Sequence, residues 1–505
     1  MSRYGTLKYS EQKYGASENA NLLWALQIDW EGNGNWAHNE AARLHRLQTM
    51  RGNDYYLSGN GFEQSAIGAA IMTLDNYDGR FDPWNTSGPL YGYLKPGLRV
   101  KLWVRNGIGG TDHPIIAGIL QDIKPYGRRG EVDLVLEDGW RWLSDRTVSV
   151  ALQSNIYADD AIGLIADAVN YPWGYELDTG PDQIKYWWST GKKAKSEIED
   201  ITNSGIGEVF VANDGKLKYY SRQLATDPVL VLNEDGLLKD ITIPQPWEFQ
   251  RNIIKINCKP RVIQSSQDIW RFYDTPAIAA GKTIYIWAEY VFENQNVPAT
   301  DVITPAATTD YTANAAANGS GTDKTANITV SLPSSNIFAE TAKIAVTNND
   351  ASVVYLTMLK LRGKPIAAPN VSPIIFETGD YLTVPRLLNL DFSWQQDYNV
   401  GVNISEYLGD FLSTPQAFPT VIIEGRPEIQ FAVDLNDHVS LHLKTWGVDA
   451  NFKVGKIKHK FLAATGQHVQ TELKLFPVYV PPVDSYWYLG TAGLSELGVT
   501  TYLGV

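Results

Sequence analysis

The chain is poor in three things that define common protein classes. Only one of its 505 residues, Cys258, is a cysteine, so it has neither an intramolecular disulfide framework nor a cysteine-rich zinc site. No uninterrupted apolar run approaches the roughly 20 residues that cross a bilayer, and the opening MSRYGTLKYSEQKYG lacks the apolar centre of a signal peptide. Neither a membrane span nor a leader is expected, and the chain reads as made and kept in a cytosol. Basic residues are outnumbered, with 43 Lys and Arg against 56 Asp and Glu, a formal charge of −13. Proteins that grip nucleic-acid phosphates carry basic stripes, so this balance argues against stable nucleic-acid binding.

Signatures of catalysis are missing as well. Ala280-Gly281-Lys282-Thr283 looks like the end of a phosphate loop, but Pro276 stands where the first glycine is required. Asn76 to Gly79 looks like part of a calcium loop, yet the ligand spacing puts Leu74 at the first position and Asn85 at the last. A turn packed by Phe81 and Trp84 is the expected role. His438 and His442 stand four apart in an alternating, strand-like stretch, about 13 Å from each other at ~3.3 Å per residue, too far for one ion. His38, His45, His113, His459 and His468 are scattered. Cys258, in another alternating stretch, reads as a small buried hydrophobe. The pairs Glu137-Asp138 and Glu197-Glu199 carry nothing that marks them as glycosidase carboxylates. Trp187-Trp188 reads as a buried or interfacial pair rather than a sugar platform. No catalytic, cofactor-binding or metal-binding residue is assigned.

What is present is strand. In LRVKLWV, Leu98, Val100, Leu102 and Val104 take one face; in EVDLVLED, Val132, Leu134 and Leu136 do the same. Gly- and Pro-bearing turns separate such runs, a pattern of small barrels or sandwiches. The last third repeats this plan. FKVGKIKHKFLAATGQHVQTELKLFP matches IIAGILQDIKPYGRRGEVDLVLED as strand with Gly, turn, alternating strand, and FAVDLNDHVSLHL precedes it as LRVKLWV precedes the first copy. Between the copies, helical spacing predicts one helix over 158–169 and a second capped by Ser196 and closed by Gly205, followed by an Asn213-Asp214-Gly215 hairpin.

The expected fold is therefore mainly β with a small α+β module, comprising two related β-barrels plus an inserted β-sandwich. Residues 1–150 form an arm and the first barrel, and 151–235 the α+β module. Connecting β segments occupy 236–280 and 366–395. The Ala-, Thr- and Asn-rich 281–365 is the sandwich, with a flexible loop near 313–324. Residues 396–480 supply a helix and the second barrel, and 481–505 a Leu-Gly-punctuated docking tail.

One ordered motif carries a resemblance. Leu74-Asp75-Asn76, Asp78-Gly79-Arg80-Phe81-Asp82-Pro83-Trp84-Asn85, Gly88-Pro89-Leu90, Leu94-Lys95-Pro96-Gly97 and Ala117-Gly118-Ile119 resemble the opening domain of phage minor tail proteins of the baseplate or tail-tip hub family. The α+β module and the Leu-Gly tail resemble later parts of the same family. The resemblance implies a homotrimeric structural virion protein, not an enzyme, assembled in the bacterial host cytoplasm and placed at the tail tip or baseplate. Such a hub closes the tail tube and contacts the distal tail protein or tube ring. It also holds the tape-measure C-terminus and a tail fibre or receptor-binding protein, and it passes DNA without specific binding. No membrane insertion of its own is implied. Two similar barrels per chain let a trimer present six similar units to a sixfold tube, and an acidic channel wall is expected. The lytic or receptor-binding extension of Tal-type hubs is not expected after the second barrel. Two other classes fit the residues: a glycan-binding adhesin acting through the sandwich, and a polysaccharide hydrolase.

Overall fold

The computed structural model describes residues 22–478, apart from 59–60, 108–109, 223–226, 234–237, 380–381, 383 and 463–467. The expected N-terminal arm up to residue 21 and the Leu-Gly tail lie outside the described residues. The protein is mainly β, and twelve strands form one sheet. They are β1 (Leu22–Ile28), β2 (Leu44–Gly52), β3 (Ala69–Asp75), β4 (Arg99–Asn106), β5 (Asp112–Tyr126), β6 (Glu131–Asp138), β7 (Leu230–Asn233), β8 (Asp240–Thr242), β9 (Thr420–Glu424), β10 (His438–Leu443), β11 (Val448–Leu462) and β12 (His468–Pro477).

The order of these strands reveals a duplication. The first six pair as β2-β3-β6-β5-β4-β1, and the second six as β8-β9-β12-β11-β10-β7, which is the same permutation shifted by six. In each unit one 15-residue strand, β5 or β11, holds a short strand along its first half and its hairpin partner along its second. Each long strand carries a glycine near its middle with a bulge close by. A Cβ on Gly118 would stand 2.0 Å from the Glu137 carbonyl oxygen, and one on Gly455 would stand 2.3 Å from the Phe476 ring, so both strands need glycine for close approach. Val100, Leu102, Val132, Leu134 and Leu136 fill the first core, and Val439, Leu441, Leu473 and Leu475 the second. The alternation in the sequence is thus the alternation of core and solvent faces. One detail differs: β1 runs antiparallel to β4, whereas β7 runs parallel to β10.

Among the described residues, the α+β module inserted between the units holds three helices where two were expected. α1 (Gly139–Asp145) follows β6 directly, its N-terminus capped by Asp138, whose Oδ1 accepts from Trp140 N–H at 3.0 Å. Trp140, Leu143 and Val148 pack with the module, so the division expected at 150 falls inside its core. α2 spans Ala158–Ala168 and α3 Ala194–Gly205. α3 starts before the expected cap Ser196, because the Ala194 N–H finds the Arg146 carbonyl at 3.0 Å and needs no side-chain cap. The Asn213 hairpin is present, with Gly215 at φ +94°.

The connecting segments meet as one small sheet, Ile253–Asn257 between Ile374–Glu377 and Leu387–Asp391. α4 (Tyr398–Leu412) packs on this sheet rather than on the second barrel, with Gly401 against Cys258 Sγ and Gly409 against the Phe376 ring. The sandwich core takes in Ile269 and Ile278, so it begins before the expected residue 281. Its 313–324 segment is no loose loop: Asn314 Nδ2 donates to the Gly321 carbonyl at 2.9 Å and the Ala315 N–H to the Thr322 carbonyl at 3.0 Å.

Candidate functional site

Two barrels in one chain invite the question of how they are joined. β2, the last strand of the first unit, pairs antiparallel with the second half of β11, from Arg46↔Leu462 to Gly52↔Lys456. β10 covers β11 only from Val448 to Lys453. The joint is therefore sheet continuity, and backbone hydrogen bonds run from one barrel into the next. Apolar packing seals it: the Trp24 ring lies 4.9 Å from that of Phe461 and 6.4 Å from that of Phe431, centroid to centroid.

Beneath the joint is a buried polar group. Arg51 Nη2 donates to Asp434 Oδ1 at 2.6 Å and Nη1 to the Val211 carbonyl at 3.3 Å, and the side chain is 3% exposed. Asp434 Oδ2 accepts from the Asn213 N–H at 2.9 Å, so one carboxylate ties the first barrel to the α+β hairpin and to the second barrel. His459 Nδ1 and Thr471 Oγ1 share a hydrogen bond of 2.9 Å, and Gln430 Nε2 donates to the same hydroxyl at 3.0 Å. Burial, reinforced by the Arg51 charge, pushes the His459 pKa down to about 3, so the imidazole is neutral. Pairs of this kind add little net stability, but losing one partner strands the other. They fix which surfaces meet.

The sheet face turned away from the cores carries both signs of charge. On β11 Lys456, Lys458 and Lys460 alternate with the buried Ile457, His459 and Phe461, and Lys458 lies 3.4 Å from Glu472. On the first unit Arg46 pairs with Glu131 at 2.9 Å and Asp133 accepts from Thr73 Oγ1 at 2.7 Å. This face is mixed in sign.

Other residues singled out in the sequence are accounted for by structure. Phe81 is fully buried beneath the Asn76 turn, with its N–H donating to Asn76 Oδ1 at 2.8 Å, but Trp84 is 88% exposed and packs no turn. Trp187 and Trp188 are buried, and Trp187 Nε1 donates to Glu197 Oε1 at 2.9 Å. Glu197 also meets Lys192 at 2.8 Å, Glu199 pairs with Lys195, and Asp138 caps α1, so these carboxylates hold structure together. His438 and His442 sit on strand β10, with His442 against Asp449 at 2.6 Å. The side chain of His468 lies outside the described residues. Among the described residues no three His, Cys, Asp or Glu side chains are grouped to hold a metal. Gly281 sits in an exposed turn at φ +67° between strands, with no helix to complete a phosphate loop.

The sandwich carries an exposed aromatic platform of the kind the adhesin reading expects, with residues the sequence reading did not name. The Trp287 and Phe338 rings stack at 5.8 Å, and Lys343 Nζ lies 4.6 Å from the Tyr285 ring, all on an outward face with Trp287 56% exposed. Alternation in TIYIWAEY carried the signal: Tyr285 and Trp287 share parity opposite the buried Ile286 and Ala288.

No family profile and no curated protein matches the chain. Solved structures do resemble it at low identity. A tail protein from Neisseria meningitidis is 11% identical, with 90% of this chain and 96% of that one covered at a TM-score of 0.48. The 43 kDa tail protein of prophage MuSo2 from Shewanella oneidensis is 10% identical, with 90% and 98% covered at 0.49. The prophage tail protein gp18 from Listeria monocytogenes is 9% identical, with 89% and 94% covered at 0.42. In trace along most of its length, the chain is similar to these tail proteins.

Proposed function

We propose that the protein is a homotrimeric hub at the tip or baseplate of a phage-type tail. It closes the tube and anchors neighbouring tail-tip or fibre proteins, and it opens to let DNA pass during infection. The observation that carries this reading is the duplicated six-strand unit with the two copies joined edge to edge. A threefold assembly of such chains offers six similar barrels, which lets a threefold body meet a sixfold tube by duplication. The motif from Leu74 to Ile119 supports the same reading by resemblance. Two of its glycines sit in turns at positive φ, Gly79 at +67° and Gly97 at +90°. The named partners are the distal tail protein or tube ring above, the tape-measure C-terminus within and a fibre or receptor-binding protein outside. An acidic channel wall, which neutralises no phosphates, would let DNA slide without sticking. Light scattering followed by electron-microscopy class averages without imposed symmetry tests the proposal: a ring of six similar lobes at trimer mass is expected, and a monomer at all concentrations would sink it.

The Trp287–Phe338 platform favours a second reading for the sandwich, that of a carbohydrate-stacking module on the same hub. A glycan array with the full chain and with Trp287→Ala tests it. Binding lost in the variant supports the module, and no binding by either chain refutes it.

A further inference from the structure

The joint inside the chain has a counterpart at each end that no strand fills among the described residues. Along β5, β4 covers Asp112 to Ile119, and the same side of residues 121–126 pairs with no strand among the described residues. That side of β5 corresponds to the side of β11 that β2 occupies. In turn β8, the counterpart of β2, pairs with β9 and, among the described residues, with no strand on its other side. We infer that β8 of one copy adds antiparallel to the 121–126 edge of β5 in the next copy, repeating between chains the joint that β2 and β11 make within one.

The register can be read off. Matching Gly118 to Gly455 places Leu120 on Ile457, hence Leu136 on Leu473 and Ala70 on Val421. The starts of β3 and β9 then coincide. Asp240, Ile241 and Thr242 take the places of Gln48, Thr49 and Met50, because Ile241 opposes Val421 as Thr49 opposes Ala70. Within the chain Gln48 faces Lys460, Thr49 faces His459 and Met50 faces Lys458. Allowing for the β5 bulge between Leu120 and Asp122, the counterparts of Lys460, His459 and Lys458 are Lys124, Ile123 and Asp122.

The chemistry of the two strands fits that register. Asp240 meets Lys124, an opposite-charge pair directly across two strands. Ile241 meets Ile123, and each already leans on the core of its own barrel while staying partly open. Pro125 lies just past the three opposed positions, so it blocks none of them and limits further pairing along the edge. The contact is heterologous, and its repetition closes a ring or continues as a filament. That it closes at three rests on the hub reading; the pairing itself rests on the duplication. Addition of a strand to a free sheet edge is a general mode of recognition.

The double variant Asp240→Cys/Lys124→Cys of the full chain tests the inference under mild oxidation, since the single native thiol, Cys258, is buried. Disulfide-linked dimers and trimers and nothing longer are expected, with none from Asp240→Cys/Lys101→Cys. A trimer by light scattering that yields no cross-link overturns the pairing and leaves the hub reading standing. A cross-linked ladder running past three keeps the pairing and overturns the trimer. Monomer without cross-link at high concentration overturns the pairing. A second arm uses charge exchange on exposed side chains, Lys124 lying 3.3 Å from Asp122 of its own chain in an exposed pair of little weight. Asp240→Lys is expected to raise the concentration for half-assembly about fivefold or more, and adding Lys124→Asp to restore it. Failure of that rescue overturns the register.

Discussion

The two barrel units share a strand plan but differ in how their open edges are finished. In the second unit the free half of the long strand is covered by β2, and the interface contains Arg51, His459, Thr471 and Gln430. In the first unit the equivalent half pairs with no strand among the described residues and offers Asp122, Ile123 and Lys124. Two copies of one architecture have thus diverged into a surface fixed within the chain, specified by buried polar groups, and a surface facing outward, marked by charge and a proline. Buried polar pairs suit a contact made once and kept. Exposed charges suit one that must stay soluble before it is made.

The largest expected effect comes from breaking the fixed joint. Arg51→Met strands Asp434 and the Val211 carbonyl, and denaturant unfolding should show a loss of about 3–5 kcal/mol. A loss below about 1 kcal/mol would mean that strand pairing alone holds the barrels together. Next are the central glycines of the long strands. Gly118→Ala drives Cβ into the fixed backbone at Glu137, and Gly455→Ala only into a ring that can turn. Both should fall within about 1–3 kcal/mol, with Gly118→Ala the larger. Equal costs would show that the two strands are equally adaptable.

Acid should separate the units further. His459 has a folded pKa of about 3 against its usual 6.5, so below pH 6.5 the unfolded chain takes up a proton that the folded chain refuses. Stability from this site is complete above 6.5 and is lost as pH falls toward 3. The matching residue of the first unit is Ile123, which does not titrate. His459→Gln should flatten the decline of melting temperature between pH 6.5 and 4, and an unchanged slope would assign that decline to other groups. The smallest effect is expected on the solvent face. Lys458→Ala and Arg46→Ala remove exposed ion pairs in the two units and should each cost no more than about 0.5 kcal/mol, a near-equality readily checked by parallel melts.

The sequence made much of this legible where the physics is local. Period-two alternation located β4, β6, β10 and β12, and a glycine within an apolar strand betrayed the duplication, because both long strands need a residue without Cβ at a crowded crossing. The Asn213 turn and α2 were equally plain. What escaped was non-local. Nothing near Leu44 or Lys456 announces that β2 lies beside β11, because edge choice depends on which side of a distant strand is left open. α1 was hidden because it follows β6 with no turn between them, Asp138 ending the strand and capping the helix at once. Trp84 was expected inside because it is large, yet its neighbours Tyr77 and Asp82 also lie outside the core. That residues 121–126 of β5 pair on one side with no strand among the described residues could not be read from the sequence, because it depends on where β4 stops.

The pairing of β2 with β11 also sets a timetable. Met50 and Lys458 are neighbours in the sheet but lie about four hundred positions apart in the chain. At synthesis rates of about 5–20 residues per second, β2 emerges on the order of tens of seconds before its partner exists. Long-range pairings of this sort form late and slowly. For that interval the first barrel presents an uncapped strand to every other nascent copy around it, and the same edge that later makes the molecule whole is its main exposure to mispairing.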